Sequence, residues 1–199
     1  MKIDLHVHAK ERSACAQAGE EEMIRAAVKG GLDGLVFTDH GRLVPSRRLA
    51  ELSERFAPFG VFGGIEIRVS DEDVLVLGVQ DAVLESRKWT YPELHAFVRR
   101  RRGFLAVAHP FRYRDRVNID IETYRPDALE LRSTNIKTEA EAHIRALAER
   151  LGLRLVCNSD AHRATDVGCY YNRLAHRPQD GEALTLMLTA GEYQCDGRG

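Results

Sequence analysis

Two histidines close to the start of the sequence have the spacing needed to bind one metal ion. His6 and His8 alternate with apolar residues in a period-two pattern, which predicts a β-strand over residues 2–8. Side chains two positions apart on a strand point to the same side, and their Cα atoms lie about 6–7 Å apart. Both imidazoles could therefore reach the same ion, although a His-x-His pair alone also fits a half-exposed strand.

Further potential ligands follow the ends of later apolar segments. With the first pair they make a set of five histidines and two acids: His6, His8, His40, Glu66, His109, Asp160 and His162. Imidazole and carboxylate groups suit Zn²⁺, Mn²⁺ and Fe²⁺, and such a set exceeds the three protein ligands of a typical catalytic zinc. We therefore expect roughly two to three divalent metal ions (Zn, Mn or Fe), with a carboxylate bridging between them.

The elements that position these residues alternate along the chain between short apolar strands and amphipathic helices. Strands are predicted over residues 2–8, 34–37, 61–69, 73–79, 103–108, 128–131 and 153–157. Helices are predicted over residues 20–29, 46–56, 90–102, 138–151 and 181–190. This alternation predicts an α/β fold with a mainly parallel sheet or a barrel, in which sites form at the C-terminal ends of the strands.

The composition is that of an ordinary globular protein, which we predict to be one domain over residues 1–199. The net charge of −1, from 29 basic and 30 acidic residues, gives no indication of a nucleic-acid or membrane partner. No apolar run approaches the ~18 residues of a membrane span, and the polar residues near the N-terminus do not fit a signal peptide. The four cysteines lack CxxC spacing, so we expect a reducing, cytoplasmic location without disulfides.

Five short segments resemble, in order, the motifs of the PHP family, whose name comes from polymerase and histidinol phosphatase. They are DLHVH (4–8), TDH (38–40), GIEI (64–67), AHPF (108–111) and NSDAH (158–162). The resemblance implies a distorted (β/α)7 barrel, which is a TIM-like fold, a cluster of divalent metals and hydrolysis of phosphoesters. By similarity, His6, His8, Glu66 and Asp160 would hold one ion, Glu66 and His109 a second, and His40 and His162 a further one.

The loop after the first motif departs from the family pattern, because residues 9–15 contain neither Asp nor His. Cys15 is the nearest candidate ligand, and a thiolate would favour zinc, with a small buried residue as the alternative. Glu130 is a further candidate ligand, weighed against an ordinary carboxylate at the end of a strand. Asp4 and Asp39 are expected to hold ring nitrogens of the ligating histidines rather than bind metal.

These residues predict a metal-dependent hydrolase that uses metal-activated hydroxide on a small phosphomonoester or a nucleotide-like phosphodiester. Asp160 or His162 would transfer a proton. Arg112, the arginine nearest to His109, would bind the non-reacting phosphate oxygens, with a solvated loop arginine as the alternative. The expected partner is a small phosphorylated substrate rather than a nucleic-acid polymer or a membrane.

Two other functions fit the same residues. One is metal-dependent hydrolysis of C–N or C–O bonds, because a fold does not fix the reaction. The other is a non-catalytic regulatory module that retains metals for structure, as could follow from the altered first loop. Phosphate bound beside the metals and Arg112 would favour the phosphoesterase over hydrolysis of C–N or C–O bonds.

Overall fold

The protein, seen here in a computed structural model that describes residues 1–197, contains nine strands and five α-helices within that range. The strands are β1 (Lys2–Val7), β2 (Gly34–Phe37), β3 (Gly60–Val69), β4 (Glu72–Leu77), β5 (Phe104–Val107), β6 (Ala128–Arg132), β7 (Arg154–Cys157), β8 (Tyr170–Leu174) and β9 (Tyr193–Gly197). The helices are α1 (Glu20–Lys29), α2 (Ser46–Arg55), α3 (Tyr91–Arg100), α4 (Ala140–Leu151) and α5 (Gly181–Ala190). Residues 198 and 199 of the predicted domain lie outside the described residues.

The strands form one sheet in the order β7-β6-β5-β4-β3-β2-β1-β8-β9. β1, β2 and β3 are parallel, as are β5, β6 and β7, whereas β4 runs antiparallel between β3 and β5. β8 and β9 add two antiparallel strands beyond β1. The predicted elements are present, but β8 and β9 were not predicted, and the sheet is therefore less parallel than the sequence indicated.

β7, at one end of the sheet, meets β1 and β8 near the other end, so the sheet is a nearly closed barrel, which confirms the predicted fold class. Val7 at the end of β1 forms a parallel bridge with Ala161, just beyond β7. On β8, the buried Asn172 accepts a hydrogen bond from the backbone N–H of Cys157 (3.1 Å) and donates one to the carbonyl of the same residue (2.8 Å). The Asn172 side chain thus takes the place of a strand-pairing contact at the seam.

Local sequence explains where the helices begin and end. Glu20 and the two acids after it occupy the first turn of α1, where the helix dipole favours negative charge. At the start of α3, Thr90 and Glu93 form a capping box that satisfies otherwise free backbone N–H groups. α4 ends at Gly152, whose φ of 64° is readily adopted only without a side chain.

The core lies on both faces of the sheet. Leu75 and Leu77 of β4 belong to a buried cluster with Ile3 of β1 and Leu184 of α5. The alternate residues of β4 pack with α3 instead, in a second cluster that also includes α4. A third cluster joins β2 to α1 and α2. None of the helices within residues 1–197 is long and apolar enough to cross a membrane.

Candidate metal centre

The structure brings the seven predicted metal ligands together at one end of the barrel. Within the described residues, three groups of side chains each offer ligand atoms that lie within 4.8 Å of one another. The groups are His6, His8 and Asp160; Glu66, Asp73 and His109; and His8, His40 and His162. All seven predicted ligands belong to these groups, and Asp73 is the one member that the sequence analysis did not identify.

The hydrogen bonds around His6 and His8 determine which ring nitrogens carry protons. Nδ1 of His6 lies 3.0 Å from Oε1 of Glu130, a carboxylate that can only accept, so this nitrogen is the donor. The hydroxyl of Ser13 already donates to Asp39 (2.7 Å) and so must accept from Nδ1 of His8 (3.3 Å). In the neutral rings the two Nε2 atoms are then both unprotonated, and they lie only 3.0 Å apart.

Two carboxylates converge on the same pair of nitrogens. Oδ1 of Asp160 lies 3.3 Å from Nε2 of His6 and 3.2 Å from Nε2 of His8. Oε1 of Glu66 lies 3.4 Å from Nε2 of His6, and Oε2 lies 3.5 Å from Nε2 of His8. Bare lone pairs at this spacing repel one another unless a cation or a proton lies between them. The donor set is therefore suited to a divalent ion that binds nitrogen and oxygen.

The second group extends the site from Glu66 toward β4 and β5. Nε2 of His109 lies 3.2 Å from Oε1 of Glu66 and 3.8 Å from Oδ2 of Asp73. The same nitrogen lies 3.8 Å from Oδ2 of Asp160. Because Glu66 and Asp160 thus face both groups, either carboxylate could contribute a ligand to both.

The third group lies nearer to solvent. The ring of His8 is 4.3 Å from the rings of both His40 and His162, measured between centroids. His40 is 46% exposed and His162 is 25% exposed, whereas His8 is buried. Nδ1 of His40 lies 2.6 Å from Oε2 of Glu66, so this group also adjoins the shared carboxylate. The third group is thus the most solvent-exposed of the three.

The backbone is strained at two of the candidate ligands. His109 has a φ of 28° and Asp160 a φ of 52°, in the left-handed region that residues with side chains rarely adopt. Such conformations persist where the surrounding structure fixes them, and they cluster at functional sites. Here the N–H of His109 donates to Oε2 of Glu130 (2.9 Å), which holds one of the strained residues in place.

Glu130 has a different position from that expected of a metal ligand. Its Oε1 accepts from Nδ1 of His6 and from the amide of Asn158 (2.8 Å), while Oε2 accepts from the N–H of His109. Both oxygens are occupied by donors, so Glu130 orients His6 and His109. The sequence showed an acid in the predicted strand 128–131, but it could not show which residues that acid contacts.

Asp4 and Asp39 hold the site through the backbone and through Ser13, not by the direct contacts with imidazole nitrogens that we expected. Asp4 accepts from the N–H groups of His6 and Ser159, at 3.2 and 3.0 Å. Asp39 accepts from Ser13, which in turn contacts His8. Their carboxylates therefore fix the two loops that carry the ligands.

Cys15 and Arg112, two further predicted site residues, are exposed. Cys15 belongs to none of the three groups of ligands found within residues 1–197. Its partial burial raises the pKa of its thiol, and the charges of Glu66 and Asp160 raise it further. Arg112 contacts the ring of Tyr113 (5.0 Å) and lines a cleft next to the centre.

The electrostatics of the cluster reflect its three buried carboxylates. Burial by itself would lower the pKa of His6, but Asp160, Glu66 and Glu130 together raise it well above its ordinary value. Burial lowers the pKa of His8 to about 4, although the nearby carboxylate of Asp160 opposes this shift. Burial opposes ionisation of Asp160, yet His6 and His8 keep its pKa below the usual range. The cluster therefore retains negative charge that attracts a cation.

Comparison with known proteins supports this assignment of fold. Residues 139–193 match the family described as PHP-associated. No curated protein shows significant sequence similarity to the chain. The barrel resembles a proposed metal-dependent phosphoesterase from Bifidobacterium adolescentis, with 14% identity, a TM-score of 0.69 and coverage of 94% of this chain and 95% of that one.

Two further solved structures share the fold. A two-domain protein from Bacteroides vulgatus, which contains a predicted PHP-like metal-dependent phosphoesterase, has 13% identity and a TM-score of 0.76; the match covers all of this chain but 65% of that one. An amidohydrolase from Chromobacterium violaceum, with sulfate and no metal bound, has 16% identity, a TM-score of 0.67, and coverage of 84% and 90%. The family match and the shared barrel confirm the predicted resemblance to the PHP family.

Proposed function

We propose that this protein is a metal-dependent hydrolase that cleaves small phosphoesters. The observation that carries the proposal is the convergence of the Nε2 atoms of His6 and His8, which are unprotonated in the neutral rings, with the carboxylates of Glu66 and Asp160, 3.2–3.5 Å away. A structural polar cluster would alternate donors with acceptors, because unpaired buried polar groups cost free energy. This cluster instead collects acceptors, which suits divalent ions.

The groups suggest how the ions would be held. His6, His8, Glu66 and Asp160 would hold one ion, and Glu66, Asp73 and His109 would hold a second. His40 and His162 would complete a third position near the surface. A bound divalent ion lowers the pKa of water and stabilises charge that develops on a phosphoryl oxygen.

The protein's own groups would position the substrate and move protons. Nδ1 of His162 contacts the carbonyl of Asp160 (3.1 Å), which can only accept a hydrogen bond. The Nε2 atom is therefore unprotonated in the neutral ring and can accept a proton at the solvent side of the centre. Asp160 is held from the other side by the amide of Asn135, which donates to Oδ2 at 2.5 Å.

The printed names of the similar structures support hydrolysis as the general class. Two of them refer to metal-dependent phosphoesterases and one to an amidohydrolase. Hydrolysis of a C–N bond is for this reason the second candidate function. A small phosphorylated compound is the substrate we propose, because the cleft next to the centre has a volume of about 540 Å³, a size suited to a small compound.

The experiment that tests the proposal combines metal analysis with turnover. The purified protein is reloaded with Mn²⁺ or Zn²⁺ and assayed on 4-nitrophenyl phosphate, bis(4-nitrophenyl) phosphate and a 4-nitroanilide amide. We expect about two or more ions per chain and chelator-sensitive release of phosphate from an ester. His8→Ala and Asp160→Ala should lose both metal and activity, whereas Glu54→Gln, on the exposed surface of α2, should lose neither.

Cleavage of the anilide alone would replace the phosphoesterase by an amidohydrolase. Stoichiometric metal without turnover of any substrate would favour the regulatory module. A protein that binds no metal after reloading would contradict the interpretation of the whole cluster.

A further inference from the structure

A cleft beside the metal centre is lined by residues that follow one candidate ligand, His109, and by a residue that donates a hydrogen bond to another, Asp160. Its volume is about 540 Å³, a size suited to a small organic group. One wall is the segment after His109, where the N–H of Arg112 donates to the carbonyl of His109 (3.2 Å). The other wall contains Asn135, whose amide donates to Asp160. A substrate reacting between His109 and Asp160 would therefore extend into this cleft.

The cleft contains basic side chains that could bind an anion. Arg112, Arg114 and Lys137 line it together with two acids, Asp115 and Glu139. Arg114 is engaged by Asp71 outside the cleft, at 2.8 Å. Within the described residues, neither Arg112 nor Lys137 makes an ion pair with a carboxylate. Two basic side chains on opposite walls are thus available to a ligand.

The cleft also offers an apolar, flat surface. Phe111 and Ile136 line it from opposite walls, and the ring of Phe111 lies 6.3 Å from the ring of His143, between centroids. The backbone of Phe111 is held in the left-handed region, with a φ of 66°. That conformation costs free energy in a residue with a side chain, so the surrounding fold holds this part of the cleft wall in place.

We propose that this cleft binds the non-reacting part of the substrate, and that this part carries a second anionic group recognised by Arg112 and Lys137. The proposal rests on the proposed function and narrows its substrate to phosphoesters with a carboxylate or a second phosphate on a flat or apolar moiety. Arg112 would then be a specificity-determining residue for the leaving group, in addition to any contact with the reacting phosphate. Guanidinium and ammonium groups suit both anions.

Binding of non-hydrolysable phosphonates tests the proposal without depending on turnover. The metal-loaded protein is titrated by calorimetry with (4-carboxyphenyl)phosphonate and with its neutral, isosteric carboxamide. We expect the carboxylate to bind at least about tenfold more tightly than the carboxamide. Each of the two exposed basic contacts contributes up to roughly fivefold to this ratio. A compound with a second phosphonate in place of the carboxylate shows which anion the cleft prefers.

Variants then assign the preference to the cleft. Arg112→Gln and Lys137→Gln should each reduce the ratio of the two affinities, and the double variant should bring it to about one. Arg100→Gln and Lys29→Gln, which remove exposed charges on α3 and α1, should leave the ratio unchanged. Equal affinities in the wild-type protein, or a preference that survives the double variant, would overturn the proposal.

Turnover of the corresponding aryl phosphates separates this proposal from the proposed function. Hydrolysis that does not discriminate the carboxylate from the carboxamide would overturn the second anion site while leaving the phosphoesterase intact. Phosphonates that bind with the expected preference, in a protein that hydrolyses no ester, would support the anion site and contradict the phosphoesterase. Absence of binding by every phosphonate would overturn the anion site.

Discussion

Replacing Glu130 by glutamine should weaken metal binding through His6, although Glu130 itself need not touch the ion. The carboxylate accepts three hydrogen bonds, from Nδ1 of His6, from the amide of Asn158 and from the N–H of His109. Glutamine has the same shape but offers one acceptor and one donor. In either orientation of the amide, at least one buried donor faces another donor.

The two orientations have different consequences for the site. If the amide nitrogen faces His109, the backbone N–H of that strained residue loses its partner. If it faces His6, the imidazole must accept at Nδ1, which moves its proton to Nε2 and toward the metal position. The first loss costs about 1–3 kcal/mol of folding free energy, because a buried donor is left unpaired. The second removes a ligand lone pair, and such changes cost about 10- to 100-fold in metal affinity.

Both effects can be measured separately. Urea unfolding of the metal-free protein should give a lower free energy of unfolding for Glu130→Gln by about 2 kcal/mol. Competition with a chelator gives the Zn²⁺ affinity, and long-range ¹H–¹⁵N spectra of the imidazoles report which nitrogen of His6 is protonated. Glu54→Gln is the matched control on the exposed surface. Wild-type stability together with wild-type metal affinity would refute the assignment of Glu130 as a positioning residue.

Three further results are expected. Addition of Mn²⁺ or Zn²⁺ should raise the melting temperature of the metal-free protein in a concentration-dependent way, because the ions bind the folded state, and His8→Ala should abolish the increase. Asp73→Asn should reduce the number of ions bound per chain by about one in metal analysis, whereas Asp71→Asn on the neighbouring exposed turn should not. The capping-box bonds hold the pKa of Glu93 at about 2, below its ordinary value, so its charge stabilises the fold above about pH 4.5. The difference in melting temperature between wild type and Glu93→Gln should therefore shrink as pH falls from about 4.5 to 2, and a constant difference would contradict the cap.

The missed residue Asp73 shows what strand direction adds to sequence reasoning. The sequence analysis sought site residues at the C-terminal ends of strands, which is correct for parallel strands. β4 runs antiparallel to β3 and β5, so its N-terminal end lies at the site. Asp73 is the second residue of β4 and faces His109 there. The three residues between the predicted strands 61–69 and 73–79 contained this information, because so short a connection can join only antiparallel strands.

The missed strands β8 and β9 have a different cause. β8 carries a fully buried asparagine at its centre, a residue with low strand propensity. The side chain is favourable there because it bonds with the backbone of Cys157 across the seam, a contact between residues 15 positions apart. Local patterns predicted the parallel strands and their polar ends, since each depends on neighbours in sequence. An amide contact across the seam, between residues distant in sequence, leaves no periodic signal.

The seam and the metal centre are connected by one chain of buried hydrogen bonds. The amide of Asn172 donates to Oδ1 of Asn158 (2.9 Å), and the amide of Asn158 donates to Glu130, which holds His6. Loss of the Asn172 side chain would therefore remove a hydrogen-bond partner from Asn158 and from the backbone of Cys157 in β7. We expect Asn172→Ala to lower the free energy of unfolding by about 3 kcal/mol, since three hydrogen bonds are lost and their buried partners stay unpaired.

The same chain predicts that the seam influences metal affinity. Asn172→Ala should weaken Zn²⁺ binding even though the residue belongs to the barrel closure, because Asn158 can then turn away from Glu130. Combined with Glu130→Gln, its effect on affinity should be less than additive, with an interaction energy of about 0.5–3 kcal/mol. Strictly additive effects would mean that the seam stabilises the barrel but does not orient the ligands. A non-additive pair would show that closing the barrel and aiming His6 depend on the same buried amide groups.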